Sequence, residues 1–208
     1  KLNLRQRYNL PQEATILIFT GSLIHRKGID ILVEGFLAAL QKHPELFLLL
    51  IGPQSKRENP SLNEAFVEKI KGMITKSGAV ERVRFSGLIT DRKQMADLYR
   101  LSNVFCFPSR REGLPNVVLE AMASGLPVVV SDLPVLKNVI RDGQNGLVVP
   151  MEDAPALVKA IERLIQDATL RVALAQQARI DAVAHHGFQA WQSQMAAYYH
   201  RLMDENQG

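Results

Sequence analysis

The sequence predicts an α/β domain, built as a doubly wound, open parallel sheet with helices on both faces. Six short β-forming runs, at 15–20, 46–51, 83–86, 103–108, 127–131 and 146–149, are mostly apolar along their whole length. That is the signature of strands covered on both faces in a parallel sheet. Between them lie stretches with helical periodicity, at 29–42, 61–77, 92–101, 115–124 and 154–167. Strand and helix in alternation make βαβ units, which wind right-handed by default. The length of 208 residues suits one large domain better than two.

Taken in order, residues 1–13 read as a linker or entry segment, with Pro11 blocking an early helix. The domain proper is expected over 14–186. Its strands end near Gly21, Gly52 and Gly87, and Gly125 closes a helix, all places where a glycine permits dihedrals that other residues resist. Asp91 reads as the N-cap of the helix over 92–101, and Pro115 as the first residue of the helix over 115–124. Cys106, between Phe105 and Phe107, is a core residue of its strand. From residue 154 onward the chain is nearly all helical. It closes on a separate helical segment, 187–208, with aromatics at Phe188, Trp191, Tyr198 and Tyr199.

Composition excludes several classes. An apolar fraction of 47% with 22% charged residues supplies a core and rules out disorder. The longest apolar run, 46–51, is about threefold too short for a membrane-spanning helix. A single cysteine excludes an intrachain disulfide and a multi-cysteine metal site. The balance of 25 basic to 21 acidic residues gives +4, which suits an anionic ligand without pointing to nucleic acid. No export signal or lipidation motif is read at the ends, and the chain begins at lysine, as a piece of a longer protein would.

Three segments at expected strand C-termini, where ligands bind in open α/β sheets, carry candidate chemistry. The first is Gly21-Ser22-Leu23-Ile24-His25-Arg26-Lys27-Gly28. A glycine permits close backbone approach, and a lysine ahead of a helix N-terminus suits a phosphate. An ordinary surface turn fits the spacing equally well, and neither a P-loop nor GxGxxG is present. The second runs from Pro108 to Met122, with Glu112 before a helix and Glu120 inside it. A carboxylate among apolar neighbours should be partly buried and needs hydrogen-bond donors. A ribose diol would supply them, as would backbone N–H groups or a nearby cation. The third is Ser86-Gly87-Leu88-Ile89-Thr90-Asp91, whose backbone could reach a flat base or simply turn into the next helix. Arg110 and Arg111 read as a solvated pair, with a steering charge for an anion as the other reading. No Asp-x-Asp occurs, so no carboxylate pair is evident for a divalent ion.

Over nearly the whole chain the sequence resembles the C-terminal, donor-binding domain of group-one glycosyltransferases, the retaining, glycogen-synthase-like family with the GT-B fold. The most specific match is Glu112-Gly113-Leu114-Pro115-Asn116-Val117-Val118-Leu119-Glu120-Ala121-Met122-Ala123-Ser124-Gly125, which is similar to the family's Glu-x7-Glu motif. Gly125-Leu126-Pro127-Val128-Val129, Asp142-Gly143-Gln144-Asn145-Gly146 and Gly21…Lys27-Gly28 extend it. The resemblance implies a Rossmann-like half of a GT-B enzyme that transfers a sugar from a nucleoside diphosphate sugar, UDP or GDP, to an acceptor hydroxyl. It implies catalytic roles for Glu112 and Lys27. Donor contacts fall to Gly21, Ser22, Lys27, Leu88, Ile89, Glu112, Gly113, Leu114, Asn116 and Glu120. Among these, Lys27 meets the diphosphate, Glu112 the sugar, Glu120 the ribose, and the backbone of Leu88 and Ile89 the base.

Neither a metal nor another cofactor is expected. The acceptor, a glycan or lipid-linked sugar, would belong to an N-terminal domain outside this chain, so the chain alone should be inactive. Segment 187–208 would pack on that domain, or else on its own. The expected location is cytoplasmic, at the inner face of the membrane if peripherally bound, with no nucleic-acid partner. Two departures stand out: Ser22 where the family often has arginine, and Leu133-Pro134-Val135-Leu136-Lys137-Asn138 where it has a Gly-Gly pair and a glutamate. They feed a competing reading, a non-catalytic nucleotide-binding module. A sugar-nucleotide epimerase of the same architecture is a further one.

Overall fold

The structure, a computed structural model, describes residues 2–205. Residue 1 of the expected linker and residues 206–208 of the closing segment lie outside the described residues. Six strands, β1 (Thr15–Thr20), β2 (Leu46–Ile51), β3 (Val83–Phe85), β4 (Val104–Phe107), β5 (Val128–Ser131) and β6 (Leu147–Val149), form one sheet in the order β3-β2-β1-β4-β5-β6. Every pairing is parallel, with β1 and β2 in register from Thr15 opposite Leu46 to Thr20 opposite Ile51. β2, β4 and β5 are buried throughout, and β1 is buried after its first residue. The edge strand β3 is only half-buried along its length, because one side has no neighbour.

Among the described residues eight α-helices accompany the sheet: α1 (Leu2–Arg7), α2 (Ile29–Leu40), α3 (Glu64–Lys76), α4 (Arg92–Leu101), α5 (Asn116–Ala123), α6 (Ala154–Gln166), α7 (Ala168–His186) and α8 (Phe188–Glu205). Their starts follow from side-chain caps. Asn63 accepts from the Phe66 N–H, Asp91 from Lys93 and Gln94, Asp153 from Ala156, and Asp167 from Leu170. Each cap satisfies donors that the first turn leaves free. α3 therefore starts at Glu64 rather than residue 61, because Asn63 supplies the cap. Pro115 sits at the N-cap of α5 with φ −81° and ψ 84°, one position before the helix rather than inside it.

The expectation that Pro11 blocks an early helix in segment 1–13 needs correction, since α1 forms within it. Pro11 falls after α1, where it cannot obstruct it, and the helix is closed by Asn9 with φ +51°. Arg5 is buried and donates to the carbonyls of Leu101, Gln12 and Ala14 and to Asn103 Oδ1, which ties the segment to the end of α4 and the start of β4.

Tight approach fixes the junction between α2 and β4. Gly28 precedes α2 with φ +68°, and a Cβ there would lie 1.8 Å from the Pro108 carbonyl oxygen. Only glycine fits, and the contact brings the N-terminus of α2 against the C-terminal end of β4. At the other end of the chain, α8 packs on α7 beyond the break at Gly187. It leaves Phe188, Trp191, Tyr198 and Tyr199 more than half exposed.

Candidate functional site

The strand order reverses between β1 and β4, and the crevice outside the strand C-termini at such a point is where open α/β sheets bind ligands. Gly21 donates to the Ile51 carbonyl and Gly52 to the Gly87 carbonyl, each at 2.9 Å, which locks the ends of β1, β2 and β3 together. At Gly52, with φ +147°, a Cβ would stand 2.0 Å from the Gly21 oxygen, so the strand ends meet only because no side chain intervenes. Above them opens a cleft of about 770 Å³. Gly21 lies on its floor between Thr20 and Ser22, with Leu88, Ile89 and Thr90 lining one side and Met95 and Tyr99 of α4 and Val117, Glu120 and Ser124 another.

α5 shows why Glu120 faces this cleft. Val117, Glu120 and Ser124 recur at helical spacing on the cleft side, while Val118, Ala121 and Met122 fill the core. Glu120 is exposed, so the expectation of a partly buried carboxylate is corrected. Its apolar neighbours in sequence point elsewhere around the helix. Its carboxylate accepts from the Tyr99 hydroxyl at 3.3 Å.

Lys27 and Glu112 lie beside the cleft and meet each other. Lys27 ends a short 3₁₀ turn, His25–Lys27, just ahead of α2, and Glu112 sits in the loop between β4 and α5. Lys27 Nζ donates to Glu112 Oε1 at 2.7 Å, and Ser109 Oγ donates to the same oxygen at 2.6 Å. Arg26 approaches the other oxygen at 3.9 Å. The Glu112 side chain is 6% exposed and Lys27 15%, with the ammonium 5.1 Å from the Phe107 ring centre. Buried charge of this kind persists only when paired and hydrogen-bonded. The Lys27 stem passes close to Gly21, within 3.7 Å of where a Cβ would stand, so the pair adjoins the cleft floor.

The other expected residues divide. Gly21, Ser22, Leu88, Ile89 and Glu120 line the cleft. Gly113, Leu114 and Asn116 are exposed on the loop after Glu112, and the Asn116 N–H is already donated to the Leu114 carbonyl at 3.0 Å. Ser22 Oγ accepts from the Asn59 side chain at 3.2 Å. The Leu88 N–H is met by Glu58 Oε1 at 3.3 Å, and the N–H groups of Gln54 and Leu88 hold the Glu58 carboxyl below its usual range.

Arg110 is not a solvated residue. It makes a two-pronged contact with Asp30 at 2.8 and 3.0 Å and reaches Glu152 at 2.7 Å, while Arg111 is exposed. Burial alone would raise the Asp30 carboxyl. The hydrogen bonds and charge of Arg110, with nearby backbone N–H groups, overturn that and hold it below the usual range.

Thr20, Tyr99, Ser109 and Asp30 belong to this constellation; Ser109 fell inside the second candidate segment without being singled out, and the other three lay outside all three segments. Tyr99 and Ser109 carry no motif spacing: Tyr99 is brought in by the last turn of α4 and Ser109 by the loop just after β4. Thr20 was legible only as the neighbour of Gly21. The departure at 133–138 folds as a 3₁₀ turn, Pro134–Leu136, over a second cavity of about 510 Å³ at the ends of β5 and β6. Among the described residues no cluster of three or more His, Cys, Asp or Glu side chains forms a metal-binding group, and no helix is long and apolar enough to cross a membrane.

Comparison with known proteins places the fold in a family. The family model described as glycosyl transferases group 1 matches residues 1–181. The lipopolysaccharide core biosynthesis mannosyltransferase LpcC of Rhizobium leguminosarum is 32% identical over 186 residues, covering 89% of this chain and 51% of that protein. The sucrose-phosphate synthase of Thermosynechococcus elongatus superposes with a TM-score of 0.82 at 32% identity, over 98% of this chain and 49% of its own. The HepE protein of Anabaena, solved in complex with UDP and glucose, shares the fold with a TM-score of 0.84 at 22% identity, over 96% of this chain and 52% of its own. The chain thus spans about half the length of the proteins it matches.

Proposed function

The chain belongs to the group 1 glycosyl transferases, a family of transferase enzymes, and we propose that it is the half of such an enzyme that holds a nucleoside diphosphate sugar, UDP- or GDP-linked. One observation carries this reading. The cleft has an acceptor-only carboxylate, Glu120, on one wall and the Lys27 ammonium beside its glycine floor. A nucleoside diphosphate sugar has matching parts, a pentose with two hydroxyl donors and a diphosphate bearing one negative charge on each phosphate. The base would lie along Leu88 and Ile89. The solved HepE complex, with UDP and glucose in a protein of this fold, supports it.

In this reading the transferred sugar lies over Glu112. Lys27 bridges Glu112 and a phosphate oxygen, so that charge growing on the leaving diphosphate meets an ammonium already held in place. Such preorganised stabilisation is the main electrostatic lever available, and one donor contributes roughly 3 kcal/mol. The bond from the anomeric carbon to the phosphate oxygen breaks, and a bond to the acceptor oxygen forms on the same face. The acceptor's proton passes to the leaving phosphate. No metal is required by this scheme. The acceptor, a glycan or lipid-linked sugar, is held by the other half of the enzyme, against which the exposed aromatics of α8 would pack. The reaction belongs on the cytoplasmic side, where nucleotide sugars are supplied.

A thermal-shift panel with UDP, GDP, ADP and their sugars tests the reading. A ligand at a hundred times its Kd adds about 2.7 kcal/mol of stability, a rise of roughly 5–10 °C for a chain of this size. No shift with any of them would overturn it.

A further inference from the structure

Tyr99 is 2% exposed, packed edge-on against Phe105, and its hydroxyl reaches the cleft wall between two polar groups. Thr20 Oγ1 lies 2.9 Å away and Glu120 Oε2 3.3 Å. The polarity of this chain follows from the end groups. An ionised carboxylate only accepts, so the single phenolic proton goes to Glu120 and the shorter contact is Thr20 donating to Tyr99. Both hydroxyl protons are therefore directed along the chain toward the carboxylate, and neither faces the ligand. Burial, joined by the Glu120 charge and against the Thr20 hydrogen bond, raises the tyrosine's pKa, so the phenol keeps its proton at any working pH.

We propose that Tyr99 is a positioning residue that holds Glu120 Oε2 and leaves Oε1 turned to the cleft, so that this wall selects a pentose whose two adjacent hydroxyls are free to donate. The proposal rests on the donor-binding reading above. A site that relies on accepting from hydroxyls leaves its own acceptor unmatched when a hydroxyl is missing, which is how such sites discriminate strongly.

Calorimetry on the 208-residue chain with UDP, GDP and ADP first identifies the nucleotide that binds, and its 2′-deoxy counterpart is then measured alongside. The wild type is expected to prefer the ribonucleotide at least tenfold. Tyr99→Phe should weaken the ribonucleotide about tenfold and the deoxynucleotide less than threefold, so that the preference collapses. Retained preference in a folded Tyr99→Phe, or equal loss for both nucleotides, overturns the positioning role while leaving the donor-binding reading intact. Absence of binding by the wild type overturns both. Should Tyr99→Phe fail to fold, Thr20→Val and Thr20→Ser decide. The valine is expected to lower the preference at least threefold and the serine to keep it, and an unchanged preference in the valine variant overturns the relay.

Discussion

At the scale of single residues, the site is organised by carboxylates whose surroundings differ. Glu112 is nearly buried and held by Lys27 and Ser109, whereas Glu120 is open to the cleft with Tyr99 as its partner. Their substitutions should separate accordingly. Lys27→Ala, assayed in a longer chain that carries the proposed acceptor-binding half, is expected to lower turnover by ten- to a hundredfold, as loss of about 1.4 to 3 kcal/mol of charge stabilisation implies. Unchanged kcat at saturating donor would take Lys27 out of the reaction. Glu120→Gln replaces an acceptor-only group by one that must present a donor as well. Nucleoside diphosphate affinity should fall about tenfold with the thermal midpoint of the free protein unchanged, read by calorimetry and by circular dichroism.

At the scale of elements, two contacts set where the loop after β4 can lie. One is the approach of Gly28 to Pro108. Gly28→Ala combines a positive φ with a Cβ driven into a carbonyl oxygen. It should cost at least about 3 kcal/mol, from backbone strain together with overpacking, measurable by urea denaturation. The other is Arg110 on Asp30, which joins the Glu112 loop to the first turn of α2. Because the Asp30 carboxyl is lowered in the folded chain, its contribution is complete above the unfolded value near about 4. It disappears as the pH falls through the folded value. Arg110→Met should therefore be less stable than wild type by about 1–3 kcal/mol at neutral pH, with the gap closing below roughly pH 4. A gap that stays constant down to pH 2 would show that the pair is not its source.

At the scale of the whole molecule, the sheet builds one ligand-facing edge, while α8 presents an aromatic surface with no counterpart among the described residues. Trp191, the sole tryptophan, reports on it directly. It is 55% exposed, so its emission in this chain should be that of a hydrated indole and readily quenched by iodide. If α8 packs on the acceptor-binding half proposed above, quenching in a chain that includes that half should drop severalfold. Equal quenching in both would leave α8 without that role.

Much of this was legible in the residues themselves. Continuous apolar runs such as Leu46–Ile51 marked buried parallel strands, and Gly21, Gly52 and Gly87 marked their ends, because periodicity and φ preference are local properties. Glu112 and Glu120 were singled out by resemblance to the family's Glu-x7-Glu motif, not by periodicity. What the chain could not declare is which distant groups meet. Pairing across about 80 residues joins Lys27 to Glu112 and Thr20 to Tyr99, and Arg110 to Asp30 likewise. α1 went unread because its anchor, Arg5, is satisfied by carbonyls of residues far along the sequence. The sequence by itself determined the strands, the helices and the chemical types available at the sheet's edge. Only the tertiary structure decided which carboxylate is sealed by a cation and which stays open to the cleft, because burial and partner geometry arise when β1 and β4 are set side by side.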